Sequence, residues 1–296
     1  IQNILSRPSI SIKDFFLKRN NILNKDLIFF KNGRDAIIYG IKKLKIKDGS
    51  NILIPSYICQ SIPNALELNG YKIVYQDIND KLSFDINALK NNIIKHQIKA
   101  VLFVNYFGFN VNNSEVLDLC RDLDIVTLED NCHSYLSGDK FYLEEIEADL
   151  SVFSLRKSLP VKDGGVLRVN SKHIKKNINH EIILSHKSLI NDLPFLLSKV
   201  AEYIISKLGI FNLYSDSITK IKYRANKYFG NVNKEESNQI KPTRPSFLLN
   251  TYLMNHSYEE EVKKKVIENF DYLNEKINPS FLKPLLGNCN EETVPQ

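Results

Sequence analysis

Apolar and polar positions alternate along residues 27–170 in blocks of two kinds. Short, nearly continuous apolar runs predict buried strands, and longer stretches with apolar residues three or four positions apart predict amphipathic helices. The predicted strands are NILIP (51–55), KIVYQDI (72–78), KAVLFVNYFG (99–108), IVTLED (125–130), DLSVFSL (149–155) and GGVLRV (164–169). The predicted helices are NGRDAIIYGIKKLKI (32–46, after a turn), SIPNALELNG (61–70), DINALKNNIIK (85–95) and NSEVLDLCRDLD (113–124). Strands separated by such helices predict an α/β fold, with a mostly parallel sheet flanked by helices.

Beyond residue 170 the alternation stops. Residues 171–240 are rich in Lys, Asn and Ile and predict a helical insertion or connector within a large domain of residues 1–240. Residues 247–277 predict one or two long helices, so we expect a smaller C-terminal domain from residue 241 to 296. The stretch 194–214 is amphipathic and favours packing against the protein body over a membrane-surface role. No apolar run is long enough to predict a membrane-spanning helix.

Composition narrows the classes of function. The chain has 296 residues, 43% hydrophobic and 25% charged, with a net charge of +6, which is typical of a globular protein. The positive charge is spread along the chain, so it favours a solvated surface with a mild attraction for anionic substrates, and no nucleic-acid-binding motif is present. The cysteines are far apart and form no C-x-x-C pair, which predicts neither a metal site nor a disulfide scaffold and favours a cytoplasmic protein. They are Cys59, Cys120, Cys132 and Cys289.

Polar residues of distinct types follow the predicted strands, where parallel sheets bind their ligands. Gly33, Arg34 and Asp35 open the first helix, and a glycine there lets backbone amides approach an anion that the helix N-terminus attracts. Many ordinary helices also begin in this way. The TLED strand ends at Asp130, which could equally cap the next segment, and His133 follows as a candidate ligand or an ordinary structural histidine.

Lys157 follows the VFSL strand and Ser154, and a Gly-Gly pair comes shortly after it. A lone lysine is usually surface charge, but in a partly dry site its amine becomes a nucleophile. Three features at successive strand ends together match the needs of pyridoxal phosphate. They are the anion site at the helix N-terminus, the carboxylate of Asp130 and this lysine. The phosphate would take the helix N-terminus, the aldehyde would take the lysine, and the ring nitrogen would take the carboxylate.

Five segments, in continuous order, resemble the DegT/StrS-type sugar aminotransferases, a branch of the fold-type-I pyridoxal-phosphate enzymes. The resemblance covers residues 27–170 and, more loosely, 240–285. It implies a fold-type-I architecture whose C-terminal small domain continues beyond residue 296, so that domain is expected to be incomplete. The segments are NGRDAI, ILIPSYICQSIPNALELNGYKIVYQDI, VNYFG, LEDNCHS and DLSVFSLRKSLPVKDGGVL.

The resemblance implies a role for each candidate residue. Lys157 would hold the cofactor covalently and move the proton during catalysis, Asp130 would pair with the ring nitrogen, and His133 would lie near the ring hydroxyl. The backbone amides beside Gly33, those of Arg34 and Asp35, would bind the phosphate.

Two positions depart from the family pattern. Ser154 would contribute its hydroxyl to the phosphate, although it precedes the lysine by three residues where the family has five. Cys59 stands where the family usually places an aromatic residue that stacks on the cofactor ring. Tyr57 lies two residues earlier, and the sequence leaves open which of the two covers the ring.

The implied activity is transfer of an amino group from an amino acid, with glutamate as the expected donor, to a nucleotide-linked keto sugar in surface-polysaccharide biosynthesis. The family also implies a homodimer that completes the phosphate site across its interface. Two alternatives remain. A pyridoxal-phosphate-dependent sugar dehydratase on the same scaffold typically has histidine at the position of Lys157, and a non-catalytic binding or regulatory relative has no chemical need for Lys157 and Asp130 together.

Overall fold

The structure is a computed structural model that describes part of the chain. The described residues are 27–109, 111, 113–137, 148–159, 161, 163–169, isolated positions between 193 and 208, 257–277 and 294. The predicted connector, apart from those isolated positions, and the predicted domain boundary at residue 241 lie outside the described residues.

The described part of the chain contains seven strands and six α-helices. The strands are β1 (Leu27–Phe30), β2 (Asn51–Pro55), β3 (Lys72–Gln76), β4 (Ile98–Val104), β5 (Val126–Asn131), β6 (Leu150–Ser154) and β7 (Gly165–Val169). The helices are α1 (Gly33–Lys43), α2 (Ser61–Leu68), α3 (Ile86–Lys95), α4 (Ser114–Asp122), α5 (Leu155–Ser158) and α6 (Ser257–Lys276).

The strands form one sheet in the order β1-β7-β6-β5-β4-β2-β3. The five strands from β6 to β3 pair in parallel, and β7 and β1 add an antiparallel edge. The prediction of an α/β fold with a mostly parallel sheet is therefore confirmed. Strand β1 was not predicted, because its four apolar residues are too few to show a period.

Helices cover both faces of this sheet because its strands alternate their side chains between two apolar layers. In β4, Leu102 belongs to the layer under α1 and α2, whereas its neighbours Val101 and Phe103 belong to the layer under α3 and α4. At the antiparallel edge, α6 packs Val262 and Val266 against a third cluster on the second face. The result is a three-layer α/β/α arrangement.

Two of the predicted elements end earlier than expected. The predicted strand 99–108 stops at Val104, and the next residues form a 3-10 turn, Tyr106–Gly108. Within the turn, Phe107 and Gly108 take left-handed backbone conformations with φ of 55° and 83°. The predicted strand 149–155 stops at Ser154, where α5 begins. Both changes occur at carboxyl ends of strands and turn the chain towards the same crevice.

The topology explains where that crevice lies. Strand β2 pairs with β3 on one side and with β4 on the other, so the chain reverses its direction of travel across the sheet between these strands. Parallel sheets open a crevice at such a switch point, outside the carboxyl ends of the strands. The loops after β2 and β4 therefore bound a natural ligand site.

Candidate active site

A cavity of about 380 Å³ lies at the carboxyl ends of β2, β4, β5 and β6, next to the first turn of α1. This volume is in the range of small-molecule and cofactor sites. Its lining includes aromatic, acidic, basic and thiol side chains. The lining residues are Asn32, Gly33, Arg34, Tyr57, Ile58, Cys59, Ser61, Ile62, Val104, Tyr106, Phe107, Asp130, Cys132, His133, Ser154, Arg156 and Lys157.

The N-terminus of α1 is packed tightly against the ends of β5 and β6. A Cβ atom added at Gly33 would lie 2.7 Å from Cys132 Sγ and 3.9 Å from Ser154 Cβ. A side chain at Gly33 would therefore occupy the space between the helix and the strand ends. Asn32 precedes the helix in an extended conformation and makes no capping hydrogen bond with its side chain. The first turn of α1 thus offers backbone N–H groups and the positive end of its dipole at the cavity.

Asp130 supplies a buried carboxylate to the cavity. It is 6% exposed and lies at the end of β5, with its side chain on the same face as Leu128 and α1. Its Oδ1 atom accepts a hydrogen bond of 2.9 Å from the backbone N–H of Cys132. This bond fixes the orientation of the carboxylate at the strand end. Burial raises the pKa of the Cys132 thiol, and the nearby charge of Asp130 raises it further.

Lys157 reaches the cavity from α5, the short helix that follows β6. Its Nζ lies 2.8 Å from His133 Nε2. His133 is half-buried, and burial lowers the pKa of its imidazole, with a further lowering from Lys157 and an opposing effect from Asp130. The side chain of Lys157 is exposed at the cavity.

The rim between β2 and β4 is aromatic. The rings of Tyr57 and Tyr106 stack with their centroids 5.5 Å apart, and the Tyr106 hydroxyl donates a 2.7 Å hydrogen bond to the Tyr57 carbonyl. Burial raises the pKa of Tyr106 well above its usual range, which keeps this hydroxyl protonated as a donor. Tyr57 itself remains 55% exposed. Its exposed ring lies beside the cavity, on the side of the switch point.

Cys59 lies on the same rim as an exposed thiol. Its Sγ is 3.2 Å from Ser61 Oγ, and this hydrogen bond is the main cause of a lowered pKa of the Cys59 thiol, to which the positive charge of Lys157 adds. Both Cys59 and Tyr57 line the cavity, so the structure keeps both candidates for the ring-covering position.

The structure brings eight of the nine predicted site residues to this one cavity. Asp35 does not line it. Its carboxylate accepts a 3.3 Å hydrogen bond from Asn32 Nδ2 and lies 4.0 Å from Arg34 Nε, at the start of α1. The eight that do are Gly33, Arg34, Tyr57, Cys59, Asp130, His133, Ser154 and Lys157.

Although Lys157 follows Ser154 by three residues, both residues line the cavity. Ser154 is 5% exposed at the end of β6, directly beside the start of α1, whereas Lys157 extends from the last turn of α5. The short helix therefore lets the hydroxyl and the amine approach the cavity from different positions.

Sequence reasoning missed several lining residues. Arg156 adjoins Lys157 and lines the cavity as an exposed cation. Tyr106 and Phe107 were assigned to a strand interior, although the glycine after them was a signal for a turn. Ser61 had no distinguishing signal in the sequence, because its role depends on its distance to Cys59.

The described residues contain no cluster of three His, Cys, Asp or Glu side chains placed to hold a metal ion. Among the same residues, no helix is both long and apolar enough to span a bilayer.

A family model describing the DegT/DnrJ/EryC1/StrS aminotransferases matches residues 20–189, more than half of the chain. The chain belongs to the DegT/DnrJ/EryC1/StrS aminotransferase family. The matched residues include all seven strands of the sheet and every residue that lines the cavity. The resemblance inferred from the five sequence segments is therefore confirmed at the level of the family.

Three curated relatives illustrate the range of this family. An uncharacterised protein of Methanocaldococcus jannaschii is 27% identical over 165 residues, which cover 55% of this chain and 42% of the relative. A GDP-4-keto-6-deoxy-D-mannose 3-dehydratase of Escherichia coli O55:H7 is 32% identical over 100 residues, covering 33% and 26%. A GDP-perosamine synthase of Escherichia coli O157:H7 is 21% identical over 152 residues, covering 50% and 42%. The chain thus matches less than half of the length of these relatives.

Proposed function

We propose that this protein is a pyridoxal-phosphate-dependent aminotransferase that acts on a nucleotide-linked keto sugar, with an amino acid, expected to be glutamate, as the amino donor. The observation that carries the proposal is the convergence of three groups on one cavity. These groups are the amine of Lys157, the buried carboxylate of Asp130 and the N-terminus of α1. Membership of the family supports an enzyme of the aminotransferase type.

The residues present fit this cofactor on structural grounds. The cofactor carries a phosphate, an aldehyde and a ring nitrogen, which need an anion site, an amine and an acid. Gly33 leaves room at the start of α1 that a Cβ atom would fill, and Ser154 adds a buried hydroxyl beside it. Asp130 and Lys157 supply the acid and the amine in the same cavity.

Each residue has a definite task in this proposal. The first-turn amides of Arg34 and Asp35, together with Ser154 Oγ, would bind the phosphate at the N-terminus of α1. The Asp130 carboxylate would pair with the ring nitrogen, because a buried anion favours a positive partner. Lys157 Nζ would be the amine that holds the cofactor and the base that moves the substrate proton. When bound, the cofactor supplies an electron-accepting ring that stabilises negative charge on the carbon that loses its proton.

The proposed substrate class rests on the names of the relatives. The synthase of Escherichia coli O157:H7 is named for GDP-perosamine, and the dehydratase of O55:H7 is named for a GDP-linked keto sugar. The aromatic rim of Tyr57 and Tyr106 offers stacking surface beside the cavity. We place the reaction in the cytoplasm, in the synthesis of sugars for surface polysaccharides, and we propose a homodimer that completes the phosphate site.

A sugar dehydratase is the second candidate. The relative with 32% identity over 100 residues carries that name, and it shares the same family scaffold. The amine of Lys157 at the cavity favours amino transfer, since the dehydratase branch typically has a histidine there. Product analysis separates the two activities, because amino transfer adds nitrogen to the sugar and dehydration removes the elements of water.

The proposal is tested with the purified protein, pyridoxal phosphate, glutamate and a GDP-linked 4-keto sugar. We expect release of 2-oxoglutarate and a sugar product whose mass shows replacement of the keto oxygen by an amine. Lys157→Ala should abolish both signals. Lys99→Ala is the matched control, because Lys99 is exposed on β4 away from the cavity, and should retain both. Wild-type rates in Lys157→Ala, or a dehydrated sugar without nitrogen, would contradict the proposal.

A further inference from the structure

Three groups form a continuous line of hydrogen bonds at the cavity. The backbone N–H of Phe107 donates to His133 Nδ1 over 3.4 Å. The other ring nitrogen, His133 Nε2, lies 2.8 Å from Lys157 Nζ. Because the imidazole joins a backbone donor to an amine, its tautomer decides in which direction the second hydrogen bond points.

The backbone donor is held in place by an unusual turn. Phe107 has a left-handed conformation, φ 55° and ψ 23°, which is sparsely populated for a residue with a side chain and persists where the surroundings determine it. The turn is closed by a 2.9 Å hydrogen bond from the N–H of Phe109 to the carbonyl of Tyr106. The Phe107 ring also stacks on the His133 ring, with 15° between their planes and 6.0 Å between centroids. Both the amide and the ring of Phe107 therefore position the imidazole.

The donor from Phe107 constrains where the imidazole carries its proton. A neutral imidazole has one N–H and one acceptor nitrogen. If Nδ1 of a neutral ring accepts the Phe107 N–H, the proton lies on Nε2, and the 2.8 Å contact with Lys157 Nζ is then a hydrogen bond from Nε2–H to the amine lone pair. The opposite tautomer would point Nδ1–H at the Phe107 N–H, two donors facing each other, and would leave a half-buried amide unsatisfied. Among the described residues, His133 Nδ1 accepts the hydrogen bond that the Phe107 backbone N–H donates.

We propose that the Phe107 turn fixes His133 in the Nε2–H tautomer, so that His133 donates to the Lys157 amine instead of accepting from it. An Nε2–H donor complements the lone pair of an uncharged amine, which is the nucleophilic form, and not an ammonium group, which carries only N–H donors. His133 then acts as a positioning residue for the lysine. Burial keeps the pKa of His133 below its usual value and so favours the neutral ring.

Other titratable groups also act on this pair. Asp130 on β5 favours positive charge on His133, so it opposes the neutral ring. The thiols of Cys132 and Cys59 line the same cavity. The tautomer of the neutral ring is therefore the direct observable, because none of these groups changes the donor that faces Nδ1.

The first test is the tautomer itself, read without cofactor in the purified wild-type chain. The protein is labelled with ¹⁵N in its histidine rings, and two-dimensional ¹H–¹⁵N spectra separate Nδ1–H from Nε2–H rings by their shift and cross-peak patterns. The signal of His133 is the one missing from His133→Asn. We expect the Nε2–H pattern once the ring is neutral. An Nδ1–H pattern would overturn the proposal.

The second test is the reactivity of Lys157 in the cofactor-free protein. Trinitrobenzenesulfonate modifies free-base amines, and peptide analysis gives the rate at Lys157 relative to exposed Lys47. We expect this ratio to fall by about fivefold in His133→Gln, which corresponds to about 1 kcal/mol. A glutamine amide can turn its oxygen towards an ammonium group, so it does not select the uncharged amine as an Nε2–H donor does. His133→Asn, which can still accept from Phe107 but is too short to reach the amine, should give a similar fall. An unchanged ratio in both variants would overturn the proposal.

These tests separate this inference from the aminotransferase assignment, on which its functional meaning rests. A protein with the Nε2–H tautomer and a reactive Lys157 that formed no amino sugar would contradict the assignment alone. An Nδ1–H tautomer in an active aminotransferase would contradict this inference alone.

Discussion

Replacing Gly165 with alanine should disturb the junction between the sheet and the N-terminus of α1. Gly165 begins β7 and pairs with Ser154 on one side and Phe30 on the other. A Cβ atom at Gly165 would collide with the backbone carbonyl of Asn32 and would lie 2.8 Å from the backbone nitrogen of Gly33. Neither neighbour is a rotatable side chain, so the start of α1 must move as a unit.

The size of the effect follows from that geometry. Overpacking a core by one carbon typically costs about 1–3 kcal/mol, and the backbone obstruction places Gly165→Ala near the upper end, about 3 kcal/mol. With a urea dependence of about 3 kcal/mol per molar, the unfolding midpoint should fall by about 1 M. Because the displaced turn carries the proposed phosphate-binding amides, the affinity for pyridoxal phosphate should fall as well.

Urea denaturation followed by circular dichroism measures the stability, and Gly40→Ala is the matched control. A Cβ atom at Gly40 would lie 2.6 Å from Leu150 Cδ1 and 3.4 Å from Leu167 Cδ1. These are ends of side chains that can rotate, and alanine is favoured over glycine in a helix by about 1 kcal/mol. The control should therefore lose about 1 kcal/mol or less. Equal losses in the two variants would refute the argument that the backbone contact at Gly165 is the obstacle.

Four further predictions test the site. Lys157→Arg should keep the fold and lose all measurable amino transfer, because a guanidinium group is not a nucleophile; retained turnover would exclude Lys157 from its role. Asp130→Asn should bind cofactor and lose at least about a hundredfold in kcat, and near-normal turnover would remove the carboxylate from the mechanism. The pKa of the Cys59 thiol is lowered, chiefly by its hydrogen bond with Ser61. Iodoacetamide should therefore label Cys59 at a lower pH than it labels a free cysteine. Ser61→Ala should shift that labelling to higher pH. Cys132, buried and with a raised pKa, should stay unlabelled in the native protein, and its rapid labelling would contradict the burial described for it.

The hydrophobic pattern was sufficient to predict most of the sheet. Strands β2 to β7 each coincide with a predicted run, and Asp85, expected near the start of a helix, caps α3 by accepting a 2.8 Å hydrogen bond from the N–H of Ala88. The pattern could not reveal β1, whose four residues pair with β7 at an antiparallel edge. Such a strand is defined by its partner, 135 or more residues away in the sequence, and not by its own periodicity.

Eight residues of the cavity lining could be predicted from the sequence, but their geometry could not. Positions at strand ends indicated Asp130, His133 and Lys157 as candidates, because parallel sheets gather their carboxyl ends at one edge. The left-handed backbone conformation of Phe107 could not be predicted, since local sequence rarely forces a bulky residue into that conformation. The contact between His133 and Lys157 depends on that turn and on the short helix α5 together, so it emerges only from the folded chain.

Covalent mapping of pyridoxal phosphate on the purified protein tests whether Lys157 holds the cofactor. The protein is incubated with the cofactor, its visible absorbance is recorded, the bond is fixed with borohydride, and the peptides are analysed by mass spectrometry. We expect a visible band that borohydride removes and a cofactor-derived mass on the peptide that contains Lys157, and on no other lysine in a stoichiometric amount. Cofactor fixed to a different lysine, or an unmodified Lys157 under saturating cofactor, would contradict it.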